Sequence, residues 1–149
     1  MKTKTYVKDS PIEGKGIFAK NNIKKAEIIG CCRGKIYSEA EAEKLNLPDH
    51  HLMTVGKDKI MLVEAPERYT NHSCDPNVGI NKLNLVAIRN IKKDEEIFID
   101  YDTLEFNWKM NCFCKSKNCR KVIRGYKYLP QELKDKYKDF TAEYLLNSK

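Results

Sequence analysis

Three cysteines lie close together in this chain, as Cys112-Phe113-Cys114 followed by Cys119, a C-x-C-x4-C pattern. Thiolates at this spacing can wrap one tetrahedral metal ion, and zinc is the ion that such closed cysteine sites hold. A closed site needs four ligands, so one must come from elsewhere, and His72 and Cys74 are the candidates. The chain carries six cysteines. In a reducing compartment, clustered cysteines bind metal or do chemistry more often than they pair. Cys31 and Cys32 fall instead in a strand-like run and read as small buried hydrophobes.

The most distinctive segment is Arg68-Tyr69-Thr70-Asn71-His72-Ser73-Cys74-Asp75-Pro76-Asn77. Taken alone it is a polar turn closed by Asp75-Pro76. A second element, Asp94-Glu95-Glu96-Ile97-Phe98-Ile99-Asp100-Tyr101, follows it, and a third, Gly14-Lys15-Gly16-Ile17-Phe18-Ala19, precedes it. In this order, and followed by the cysteine cluster, the elements closely resemble the SET-domain protein-lysine methyltransferases over about 6–125. The resemblance implies a mostly β, β-clip-like fold of several small sheets, with a pseudoknot in which 71–77 passes through the loop carrying Tyr101. It implies a SET domain over 4–102 with an inserted helical segment at about 38–60, a zinc-bound post-SET element over 103–125 and a C-terminal helix over 126–149. It implies S-adenosylmethionine as methyl donor. It also names the missing ligand, giving a zinc site of Cys74, Cys112, Cys114 and Cys119 rather than one using His72.

Methyl transfer to an amine is an in-line displacement, which asks a protein for positioning and a neutral amine more than for covalent chemistry. A lysine amine has an unperturbed pKa of about 10.4, and an apolar channel beside a sulfonium cation disfavours its charged form. The resemblance puts Tyr101 where methyl group and amine meet. Asn71 and His72 match the pair that contacts the donor's amino-acid and adenine parts. Gly14-Lys15-Gly16 matches a loop whose backbone approaches the donor closely, which glycine permits. Trp108 and Phe113 fall where an apolar wall would face the adenine. Ile99 occupies the channel position two before the tyrosine, usually Phe or Tyr, and implies a pocket that admits more than one methyl group. Two departures stand out: Lys115 replaces a glycine that often follows the C-x-C pair, and His51 lies near a position where many members carry a tyrosine facing the donor.

The elements that must hold these residues read as short strands punctuated by Gly, Asn, Asp and Lys: 5–7, 16–18, 27–32, 60–63, 83–89 and 96–100. One helix interrupts them, with Ser38 and Glu41 in the capping-box spacing and Pro48 just past its end. A second helix starts near Pro130, and Leu133, Tyr137, Phe140, Tyr144 and Leu145 recur along it at helical spacing as a docking stripe.

At 149 residues the chain is one ordinary domain. Its net charge is +7, and its lysines are scattered through every segment rather than gathered into one tract, which reads as a solvated surface rather than a nucleic-acid face. The polar start, Met1 to Lys8, carries no secretory signal, no apolar run is long enough for a bilayer, and the chain is expected in cytoplasm or nucleus. The expected partner is a protein with an accessible lysine in a histone tail or other basic segment. Some of Glu39, Glu41, Glu43, Asp102 and Glu105 are expected to line a groove attracting it, the three helix glutamates reading equally as a solvated face. Two rival functions are a zinc-stabilised binding module without activity and a basic nucleic-acid-binding protein.

Overall fold

A computed structural model describes residues 2–147. Its strands are β1 Thr5–Asp9, β2 Lys15–Ala19, β3 Ile28–Cys31, β4 Gly34–Tyr37, β5 Leu52–Gly56, β6 Lys59–Val63, β7 Asn71–His72, β8 Val78–Asn81, β9 Asn84–Ala87, β10 Phe98–Ile99, β11 Met110–Asn111 and β12 Val122–Ile123. Three short α-helices join them: α1 Glu39–Lys44, α2 Gln131–Lys136 and α3 Glu143–Leu146. None of these described helices is long and apolar enough to cross a membrane.

The strands form five small sheets: β1-β2, β3-β9-β8, β4-β6-β5, β7-β10 and β11-β12. No single sheet is large enough to bury a face alone, so their inner faces share one core. Ile17 of β2, Ile80 of β8, Ile91, Ile97 and Leu145 are all nearly inaccessible at its centre. A second, smaller cluster gathers Cys74, Cys112, Cys114 and Ile123. Every sequence-expected strand is present, each with one or both ends shifted. The strands missed are short or carry polar residues, such as Asn71–His72, whose pairing is decided by distant partners.

The capping box of α1 is formed: the Glu41 amide donates to Ser38 Oγ at 3.2 Å and the Ser38 amide donates to Glu41 Oε2 at 2.8 Å. The expected continuous C-terminal helix is not. It ends at Lys136, passes through a 3-10 turn at Lys138–Phe140, and resumes at Glu143. Thr141 is extended at φ −116°, because the Ala142 amide is drawn to the Thr103 carbonyl at 2.8 Å while Thr141 Oγ1 donates to the Tyr137 carbonyl. The break preserves the docking role of the stripe. Tyr137 and Leu145 are buried, each worth about 2 kcal/mol of apolar transfer. Phe140 lies directly over Gly79, where any Cβ would run into its side chain.

Candidate functional site

The Asn-His-Ser-Cys segment is laid against Phe98–Tyr101 by a parallel strand pair, β7 with β10, in the register Phe98↔Asn71 and Ile99↔His72. Two residues of pairing are a weak ladder, and Asn77 extends it with its side chain. Its Oδ1 accepts from the Phe98 amide at 2.9 Å and its Nδ2 donates to the Glu96 carbonyl at 2.8 Å, while Asn77 itself is fully buried. Such an amide placed to satisfy two backbone groups holds a register that period-2 pairing alone would not.

That register delivers Tyr101. Asp100 caps the 3-10 turn that starts there, its carboxylate accepting from the Asp102 amide. The Tyr101 amide donates to His72 Nδ1 at 3.1 Å, and the Tyr101 hydroxyl donates to the Thr70 carbonyl at 2.9 Å. Burial pushes this hydroxyl well above the ordinary phenol range, with the Glu13 carboxylate adding to the effect. The ring packs between His72 and Trp108, at centroid distances of 5.2 and 6.1 Å.

Asn71 ties the Gly14-Lys15-Gly16 loop into this arrangement. Its Nδ2 donates to the Glu13 and Lys15 carbonyls, at 3.1 and 3.0 Å, and to Glu96 Oε1. Glu96 is buried and also accepts from Ser10 Oγ. It crosses so near Gly16 that a Cβ there would meet the carboxylate, which is why glycine stands at that position.

A cavity of about 210 Å³ opens over these residues, lined by Asn71, His72, Tyr101, Phe113, Cys112 and Cys114 together with Ile12, Glu13, Met110 and Asn111. The last four were not singled out from sequence, and only their nearness to expected site residues in the chain could have pointed to them. Gly14, Lys15 and Gly16 approach through Asn71 but do not border the cavity. Trp108 stands behind Tyr101, and its buried Nε1 has no acceptor among the described residues. Ile99 is buried among the main core residues, against which Tyr101 also packs, and does not border this cavity. His51 packs edge-on against Tyr69 at 6.0 Å. Lys115 takes φ +62°, a conformation a glycine there would adopt without strain.

Beside the cavity, ligand atoms of His72, Cys74, Cys112 and Cys114 lie within 4.8 Å of one another, a group able to hold a metal ion. Cys74 Sγ and Cys112 Sγ are 3.7 Å apart. Burial drives the Cys74 thiol far up and the Cys112 thiol up to about 11. Against the same desolvation, the Cys74 amide and Ser116 hold Cys114 down to about 6. Without a cation the crowded sulfurs cannot all ionise; a divalent ion would remove that conflict. Cys119 packs against the cluster, its sulfur 3.6 Å from the Cys112 carbonyl oxygen and accepting from the Lys121 amide.

His72 is pushed down to about 4, chiefly by burial, so its ring is neutral. The 3.7 Å approach of its Nδ1 to Asp100 is therefore not an ion pair. Its Nδ1 is 3.1 Å from the Tyr101 amide and its Nε2 is 3.4 Å from Cys74 Sγ, a contact whose donor depends on the ring tautomer. Cys119, the fourth ligand expected from the motif, packs beside the group of four ligand residues but is not one of its members, whereas His72 is.

Asp102 and Glu105, expected in a substrate groove, are used inside the fold. Asp102 is buried, and its carboxylate accepts from the Gly125 amide at 2.6 Å and from Arg120 Nη2 at 2.9 Å. Arg120 Nη2 also reaches Asp100 Oδ1 at 2.7 Å, so one guanidinium, adjacent to Cys119, clamps both neighbours of Tyr101. Glu105 accepts from the Thr54 amide and hydroxyl at 3.0 and 2.8 Å, pinning β5 to the segment after Tyr101. Burial raises both carboxyls above their usual range. Arg120 escaped sequence reasoning, although its place directly after a cluster cysteine was a signal.

The model of the SET domain family matches residues 14–102. The chain is 30% identical to the Variant-silencing SET domain-containing protein of Plasmodium falciparum, over 78% of this chain and 6% of that protein. It is 28% identical to Histone-lysine N-methyltransferase ASHH3 of Arabidopsis thaliana, over 74% of this chain and 35% of that one. The chain thus spans about a third or less of the length of these relatives. A humanized mutant of the Chaetomium thermophilum Polycomb Repressive Complex 2, bound to the inhibitor GSK126, contains a chain that superposes with a TM-score of 0.56 at 26% identity, covering 65% of this chain and 14% of that one.

Proposed function

The chain belongs to the SET-domain family, and from that premise we propose that it transfers a methyl group from S-adenosylmethionine to the side-chain amine of a lysine in a histone or another protein. The observation that carries the proposal is Tyr101. Its ring borders the cavity, and its hydroxyl is committed as a donor to the Thr70 carbonyl. With its proton so used, the phenol oxygen offers only lone pairs, and an incoming lysine N–H can donate to them. Its raised pKa keeps it neutral, so Tyr101 orients the amine rather than acting as a phenolate base. The amine's own proton is lost because apolar walls disfavour the ammonium form.

The donor supplies an electrophilic methyl group. The cavity suits it chemically: Glu13 and Asn71 offer polar contacts, and Met110 and Phe113 an apolar wall. Asn71 and His72 would hold the amino-acid and adenine ends, and the 14–16 loop would reach the donor through Asn71. For the metal we propose zinc on Cys74, Cys112, Cys114 and Cys119. The C-x-C-x4-C spacing supports this set, and His72, whose ring nitrogen lies in the same group of ligand atoms, is the competing fourth ligand. Zinc would staple the loop bearing Phe113 over the cavity.

The test is incubation with radiolabelled donor and a panel of histones and lysate proteins, beside Tyr101→Phe. Label should appear on lysine and fall by at least about 100-fold in the variant, the size of effect a lost positioning contact produces. Donor and zinc bound without any transfer across the panel would favour a binding module; no donor binding would refute the proposal.

A further inference from the structure

The lysines are scattered along the chain, but the net charge is not. Residues 106–131 contain Lys109, Lys115, Lys117, Arg120, Lys121, Arg124 and Lys127 and no acidic residue, while the other 21 basic residues are matched by all 21 acidic ones. The entire excess of +7 therefore sits on the β11-β12 hairpin and its flanks. Arg120 turns inward onto Asp100 and Asp102. The remaining six are exposed, and none forms an ion pair among the described residues, although Lys4, Lys15 and Arg89 elsewhere do.

The hairpin sorts its side chains by pleat. Met110 and Ile123 are paired, with Ile123 fully buried, and the Trp108 amide donates to the Arg124 carbonyl. This register sets Lys109 opposite Arg124 on the outer face. Arg124 lies 4.2 Å over the Tyr128 ring and Lys127 5.3 Å from it, with Tyr128 45% exposed. The turn carrying Lys127 and Tyr128 is fixed to the hairpin's entry, since the Lys127 amide donates to the Phe106 carbonyl at 3.0 Å. Lys121 and Lys115 border a separate, open cavity of about 460 Å³ at the other end.

We propose that this outer face binds the phosphate backbone of nucleic acid. Six cations on a short, stitched element form no ion pair among the described residues. A lysine- or arginine-rich protein segment would be repelled there, so the face is not where a basic substrate docks. Polyphosphate is the complement, because neutralising several phosphates releases condensed counterions. Tyr128, already capped by a guanidinium, adds a partly exposed π-face of the kind that accepts a base. The proposal is independent of the methyl-transfer reading.

The test is fluorescence anisotropy of the full chain, zinc-loaded, with a labelled 30-base-pair duplex and a 20-nucleotide single strand. If four to six phosphates are engaged, duplex affinity should fall about 10²–10³-fold between 50 and 200 mM salt. Lys109→Glu with Arg124→Glu should weaken binding at least about tenfold. The same charge change at exposed turn positions, Lys57→Glu with Lys82→Glu, should do much less. Circular dichroism and zinc content show whether each variant is folded, and a Lys127→Glu single variant serves if the double one is not. A stronger effect on the single strand than the duplex would identify the Tyr128 contact as dominant and still support the proposal. No binding at 50 mM salt, equal losses in both variant pairs, or capture only by anionic phospholipid vesicles or a polyglutamate peptide would overturn it.

Discussion

Arg120→Ala probes the joint between the cysteine loop and the Tyr101 turn. The side chain is 18% exposed, and its Nη2 contacts Asp100 Oδ1 at 2.7 Å and Asp102 Oδ2 at 2.9 Å, carboxylates that are 1% and 4% exposed. Removing the cation leaves two buried negative charges facing each other, a kind of loss that costs about 3–5 kcal/mol. The fold can relieve part of this by binding a proton, since burial already raises Asp102. In the variant, a carboxyl held above its unfolded pKa contributes its relief fully below the unfolded value and loses it as pH rises through the folded one. The deficit relative to wild type should therefore be largest near pH 7.5 and smaller near pH 5.5. Urea unfolding followed by Trp108, the single tryptophan, measures it at both values. Lys should restore part of the stability, because a single nitrogen, Nη2, makes both contacts and an ammonium on a shorter, more flexible stem can replace it only in part. A deficit below about 1 kcal/mol at pH 7.5, or one that grows on acidification, would refute the clamp.

Cys119→Ser should lower zinc affinity and stoichiometry, whereas His72→Asn should retain zinc while weakening donor binding; the reverse pattern in metal analysis would reassign the fourth ligand to His72. Chelation should abolish donor binding along with zinc, and donor affinity unchanged in protein shown to be zinc-free would separate the cavity from the staple. His72, held near 4 against an ordinary 6.5, contributes stability present in full above the unfolded value and lost as pH falls through the folded one. The gap corresponds to about 3 kcal/mol, so the slope of stability with pH between about 6.5 and 4 should flatten in His72→Asn, as read by denaturant titration.

Much of this was legible from the chain alone. The capping box at Ser38 and the strands around Ile17, Ile29, Met61 and Leu85 follow from local patterning, because period and caps are properties of neighbouring residues. The motif order pointed to Asn71, His72, Tyr101 and the cysteine cluster, and the fold brings Asn71, His72, Tyr101, Cys112 and Cys114 to one cavity. What local pattern could not reach was decided by contacts between distant segments. The C-terminal stripe docks as expected, but its helix breaks because the Thr103 carbonyl takes the Ala142 amide. Asp102 and Glu105 read as surface acids, yet Arg120, Gly125 and Thr54 draw them inside. The composition stated a charge of +7, and only the hairpin register showed cations sharing an outer face, because sequence gives the sum of charges while folding sets which of them meet a partner.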